Sequence, residues 1–194
     1  MPRLFVAVDL PEEALLLLDP LLGAFPGTRW ASRDQLHVTL RFLGSVPPDR
    51  VAELQQQLAG VTPPEAFALS LSGVGVFPPR TDARSRRSPP RVLWAGLAPR
   101  DPLAALKQAI DEALGPDPES VDRPFHPHVT LARWKDRPGP ELAQFLDRHA
   151  NLASAPFPVR DFHLYESRTL PEGAVYMRLQ SFNLRQQAPP PRGA

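Results

Sequence analysis

The stretches Leu36-His37-Val38-Thr39-Leu40-Arg41-Phe42-Leu43 and His126-Pro127-His128-Val129-Thr130-Leu131-Ala132-Arg133 share one tetrapeptide, His-Val-Thr-Leu. The chain holds 5 His, 6 Thr and 28 Leu among 194 residues. At that composition one His-x-Thr-Leu arises by chance roughly 0.02 times, and two roughly 0.0002 times. A single copy would read as a surface histidine beside a strand-forming threonine. Two copies point to a duplicated functional element. Each reads as a strand, and side chains alternate across a strand. His37 and Thr39 therefore share one face, with Val38 and Leu40 on the other. His128 and Thr130 are set against Val129 and Leu131 in the same way. Each motif presents a polar pair and anchors itself through an apolar pair. Similar lobes built around the two strands would bring the polar pairs to a shared cleft.

Working outward, Leu4 to Val8 is an apolar strand, and Pro11-Glu12-Glu13 opens a helix with proline at a permitted first-turn position and acids facing the dipole. That helix ends near Pro20. Leu36 to Leu43 is a strand, and a second helix runs from Pro47 to Gly60. Strands are expected over Phe67–Val76, Val92–Leu97 and Pro127–Arg133. Helices are expected over Asp101–Leu114, stopped by Gly115-Pro116, and over Glu141–His149. Phe157–Tyr165 and Ala174–Phe182 form a closing pair of strands around Leu170-Pro171-Glu172-Gly173. Strands and helices are interspersed throughout, which gives an α+β class. Residues 1–185 read as one domain of two lobes. Residues 186–194 read as a disordered, Pro-rich tail.

Composition narrows the function. There is no cysteine, so disulfides, thiolate metal sites and cysteine nucleophiles are excluded. No apolar run approaches the ~20 residues needed to span a bilayer, and the N-terminus lacks the apolar core of a secretory signal. A cytoplasmic protein is expected. The net charge is +1, so no global field draws in a polyanion. Arginine dominates the cations, which suits phosphate, although codon bias in a GC-rich genome is the simpler source of the excess. The segment Pro78–Arg91 carries Arg80, Arg84, Arg86, Arg87 and Arg91, and reads either as a backbone-tracking basic loop or as a solvated one.

Two imidazoles and two threonine hydroxyls suit phosphodiester chemistry. Opening a cyclic phosphate requires water activated on one side of phosphorus and a leaving oxygen protonated on the other. One neutral and one protonated histidine can do both. The hydroxyls can bond the non-bridging oxygens as charge builds there. No metal or cofactor is required. His126-x-His128 has the spacing for two metal ligands on one face, so a metal-dependent hydrolase is an alternative. A non-catalytic RNA-binding protein is another.

With these residues identified, the chain resembles the 2H phosphoesterases, and more closely the bacterial RNA 2′,3′-cyclic phosphodiesterases historically called 2′-5′ RNA ligases. The resemblance rests on Trp30, on Leu36 to Gly44 and Phe125 to Arg133, on Leu4 to Val8, and on Leu164-Tyr165-Glu166-Ser167 with Gly173 and Tyr176. It implies a bilobal, pseudo-symmetric α+β fold with antiparallel sheets around a central cleft. It implies metal-independent hydrolysis of RNA 2′,3′-cyclic phosphate ends to 2′-phosphates, and the reverse 2′-5′ ligation. It implies His37 as proton donor, His128 as proton acceptor, and Thr39 and Thr130 beside them. Small cyclic nucleotides are the alternative substrates. A monomer without a membrane or an obligate protein partner is expected.

Three neighbours are candidate substrate contacts. Arg133 occupies the position of a substrate-binding arginine in the resembling family. Strand parity sets it opposite His128, so it reaches the cleft only if the strand ends or bulges. Arg41 has cleft parity and reads equally as a solvated charge on the rim. Phe42 has core parity and would stack on a base only if the strand twists. His163 reads as a strand surface residue.

Overall fold

The structure is a computed structural model, and it describes residues 1–62, 64–78, 89–116, 124–170 and 173–186. Most of the basic loop, including Arg80, Arg84, Arg86 and Arg87, lies outside the described residues, as does the expected tail beyond Gln186. The described residues form nine strands: β1 (Arg3–Asp9), β2 (Arg29–Trp30), β3 (His37–Ser45), β4 (Phe67–Phe77), β5 (Val92–Ala98), β6 (His128–Arg133), β7 (Phe157–Val159), β8 (Asp161–Leu170) and β9 (Gly173–Asn183). The α-helices are α1 (Glu12–Leu18), α2 (Val51–Ala59), α3 (Asp101–Leu114) and α4 (Glu141–His149). None of the helices among the described residues is long and apolar enough to cross a membrane.

The sheet order is β7-β4-β5-β6-β3-β1-β8-β9, with β2 added beside β6. The order is palindromic in origin. The β1–β3 pair of one half corresponds to the β5–β6 pair of the other, and each is flanked on its outer side by two more strands, β8 and β9 in the first case and β4 and β7 in the second. The halves meet where β3 and β6 run antiparallel, at Val38↔Val129. A pseudo-twofold axis therefore passes between the two motifs. One closing strand was expected over Phe157–Tyr165, and the structure instead breaks it at Arg160. Its first piece, β7, pairs with β4, while β8 pairs with β1 in the other half. The break lets one short segment serve both halves.

The apolar side of each motif is the fold's anchor. Val38, Leu40, Val129 and Leu131 are buried, and they share one core with Leu18 of α1, Leu58 of α2, Leu103, Leu106 and Ile110 of α3, and Leu142 and Phe145 of α4. The helices thus cover one face of the sheet and leave the His-x-Thr face free. Truncating one such leucine to alanine costs roughly 2–5 kcal/mol. α3 begins with proline in its first turn and stops at Gly115, whose φ of +83° suits glycine.

Candidate active site

Antiparallel pairing at Val38↔Val129 sets His37 beside Thr130 and Thr39 beside His128. Each imidazole is held from behind. His37 Nδ1 donates to the Gln35 carbonyl at 2.8 Å, and His128 Nδ1 donates to the His126 carbonyl at 2.7 Å. A carbonyl can only accept, so in both neutral rings Nε2 is the basic nitrogen. Thr39 Oγ1 lies 2.9 Å from His37 Nε2 and donates to it. The orienting residue stands two positions before the histidine in each copy. Because it acts through its backbone, no side-chain pattern in the sequence marks it.

Burial pushes His37 down from its ordinary value to about 4, against the raising effects of the Gln35 carbonyl and the Asp9 carboxylate. A charge on His128 would lower it further. Burial also lowers His128, with smaller lowering effects from charges on His126 and Arg133. Both rings are therefore set towards the neutral form in the free protein.

A pocket of about 510 Å³ opens on this face. His37, Thr39, Thr130, Phe42 and Arg133 line it, with Trp30, Tyr176 and the arginines Arg3 and Arg29. His128 is not part of its wall. It stands half-buried next to Thr39, with its ring edge-on to Phe77 at 5.0 Å. Among the described residues no carboxylate lines the pocket, and Arg3, Arg29 and Arg133 have no ion-pair partner. A chain of net charge +1 has thus gathered unneutralised arginine at one site.

Two bulges explain which neighbours reach the pocket. Along β1–β3 the register passes from Ala7↔Thr39 to Val6↔Arg41, so Leu40 is extra. Along β5–β6 it passes from Trp94↔Thr130 to Leu93↔Ala132, so Leu131 is extra. Each bulge turns the following residues over. Arg133 thereby faces the pocket, and so does Phe42, which is 53% exposed. Arg41 is turned away. Its expected place at the cleft is corrected by the structure, in which it is 7% exposed and bound to Asp111 at 3.1 Å and to the carbonyls of Gly115 and Pro116 at 2.7 and 3.2 Å.

His163 is also corrected. It is 2% exposed, with Nδ1 at 2.9 Å from Ser181 Oγ. His126 packs against Trp94 at 4.8 Å. Among the described residues no third His, Asp or Glu joins His126 and His128 as a metal-binding group. The aromatic wall around His37 was missed in the sequence. Phe5 lies 4.9 Å and Tyr176 5.2 Å from its ring, and Tyr165 stacks on Phe5 at 5.3 Å. Alternation in Phe5-Val6-Ala7 was the available signal, but a wholly apolar strand conceals which face is which.

Comparison with known proteins agrees with this geometry. A family model described as the 2′-5′ RNA ligase superfamily matches residues 13–170. An RNA 2′,3′-cyclic phosphodiesterase of Archaeoglobus fulgidus is 32% identical over 93% of this chain and 99% of its own length. One of Thermus thermophilus is 36% identical over 94% and 90%. The crystal structure of Escherichia coli LigT with phosphate superposes with a TM-score of 0.69 at 27% identity, over 95% of this chain and 99% of LigT. Residues 13–170 contain both His-Val-Thr-Leu motifs and both bulges, so the chain belongs to the 2′-5′ RNA ligase superfamily, the 2H phosphoesterases.

Proposed function

We propose that this chain is an RNA 2′,3′-cyclic phosphodiesterase that releases 2′-phosphomonoester ends without a metal. The observation that carries the reading is a pair of His-x-Thr motifs on adjoining strands beside an arginine-lined pocket that has no carboxylate among the described residues. His128 Nε2 takes a proton from water as its oxygen attacks phosphorus. The bond from phosphorus to the 3′ oxygen breaks, and His37 delivers a proton to that oxygen. The phosphate stays on the 2′ oxygen. Thr39, Thr130 and Arg133 bond its non-bridging oxygens, where charge increases in the transition state. Phe42 offers a face on which the terminal base stacks. The same groups run backwards would join ends through a 2′-5′ bond.

His37 is neutral in the free protein at pH 7, whereas a donor must carry a proton. The anionic substrate supplies the difference, because a nearby negative charge favours imidazolium. Asp9, paired in register with His37, adds to it, while the corresponding neighbour of His128 is Gly96. This asymmetry supports His37 as donor and His128 as acceptor. The protein is further proposed to act as a monomer in the cytoplasm, with residues 1–185 as its one bilobal domain.

The test is incubation with an oligoribonucleotide ending in a 2′,3′-cyclic phosphate, in EDTA, followed by assignment of the product. A 2′-phosphate is expected. A 3′-phosphate, or turnover only after metal is restored, overturns the mechanism. Binding without turnover points to a non-catalytic RNA-binding protein.

A further inference from the structure

The pocket extends well beyond the two histidines. On β1, Asp9 is the register partner of His37, and Arg3 lies six residues away on the same strand. At ~3.3 Å per residue that is about 20 Å of extended chain. Arg3 nevertheless belongs to the same pocket wall as His37. Its register partner on β8 is Ser167, and Ser167 pairs with Tyr176 on β9. Ser167, Thr169 and Tyr176 all line the pocket. The end around Arg3 thus combines an arginine that has no ion pair among the described residues with the hydroxyls of Ser167 and Thr169, while the rings of Phe5, Phe42 and Tyr176 form the wall between that end and His37. Glu166 and Arg168, the charged residues of β8 next to it, bind each other at 3.0 Å. They alternate with Ser167 and Thr169, so strand parity sets them on the opposite face.

A terminal nucleotide with its cyclic phosphate at His37 and its base on Phe42 leaves Arg3, Ser167 and Thr169 for the next part of the strand. Arginine, hydroxyls and aromatic rings in one groove are the means by which proteins follow a single strand. We propose that Arg3, with the hydroxyls of Ser167 and Thr169, forms a second phosphate site that holds an internucleotide phosphodiester upstream of the reacting RNA end. The inference rests on the cyclic phosphodiesterase reading and adds that the preferred substrate is an oligonucleotide.

The test compares kcat/KM for a nucleoside 2′,3′-cyclic monophosphate and for a tetraribonucleotide with the same cyclic end. The wild-type protein is expected to favour the tetranucleotide. Arg3→Gln is expected to lower the ratio of the two values about tenfold, through KM, and to reduce the salt dependence of tetranucleotide binding by about one phosphate contact. Arg3→Lys keeps the charge and is expected to recover most of the salt dependence. Arg168→Gln, on the opposite face, is expected to keep the wild-type ratio. Equal turnover of both substrates by the wild type, or an unchanged ratio in Arg3→Gln, overturns the second site while the phosphodiesterase reading stands. Turnover of neither substrate overturns both.

Discussion

At the residue scale, His37 brings function and stability into opposition. It is pushed to about 4 in the folded protein, against 6.5 for an unperturbed histidine, mainly by burial. The unfolded chain therefore binds more protons than the native one between those values, and stability rises with pH across that window. The stability associated with neutral His37 is fully present above about pH 6.5. It is lost as pH falls towards 4, the folded value. His37→Gln removes the titrating group. Urea unfolding at pH 7 and pH 5 is expected to show a smaller loss of stability in the variant than in the wild type. Equal losses would show that His37 is not the group responsible. The same variant is expected to lose activity by about 10²-fold or more, because general acid catalysis is gone while the fold remains.

At the scale of elements, both motif strands and their apolar anchors were legible from alternation alone. Proline and glycine signals marked α3 correctly, because they act locally. The bulges were not legible. A bulge is a relation between two strands, and nothing in Thr39-Leu40-Arg41 or Thr130-Leu131-Ala132 announces an extra residue. Parity counted through the bulge therefore reverses the faces of Arg41 and Phe42. The same reversal brings Arg133 to the pocket. Arg41 becomes a tie between elements, since it fastens β3 to Asp111 of α3 and to the carbonyls at the end of that helix. Asp111 also holds Lys107 at 2.8 Å and is partly exposed, so it keeps a partner when Arg41 is removed. Arg41→Met is thus expected to cost about 1–3 kcal/mol. Thermal unfolding would show it as a lowered Tm, with kcat close to wild type. A large loss of kcat in a normally stable variant would return Arg41 to the site.

At the scale of the whole molecule, the duplicated halves are alike in backbone and unlike in charge. The pseudo-twofold axis relates Phe42 to Arg133 and Asp9 to Gly96. A symmetric site would give its two histidines the same chemistry, whereas acid–base catalysis needs them different. The second half has no room for a counterpart of Asp9, since a Cβ on Gly96 would stand 2.3 Å from the Ser72 carbonyl oxygen. Asp9 itself is embedded. Tyr165 donates to it at 2.6 Å, Arg178 forms an ion pair with it, and His163 Nε2 lies at 3.6 Å. Asp161 faces the same His163 nitrogen from β8, at 3.4 Å. Asp9→Asn retains an acceptor for Tyr165 and removes the negative charge, so the protonated form of His37 loses support. If His37 is the donor, the alkaline limb of the kcat–pH profile moves to lower pH, because the acid is deprotonated sooner. The acid limb, set by His128, stays in place. If His37 is instead the base, the same substitution moves the acid limb and leaves the alkaline one. One pair of profiles on a single cyclic-phosphate substrate thus assigns the two roles, because the carboxylate that breaks the symmetry stands beside one histidine and not the other.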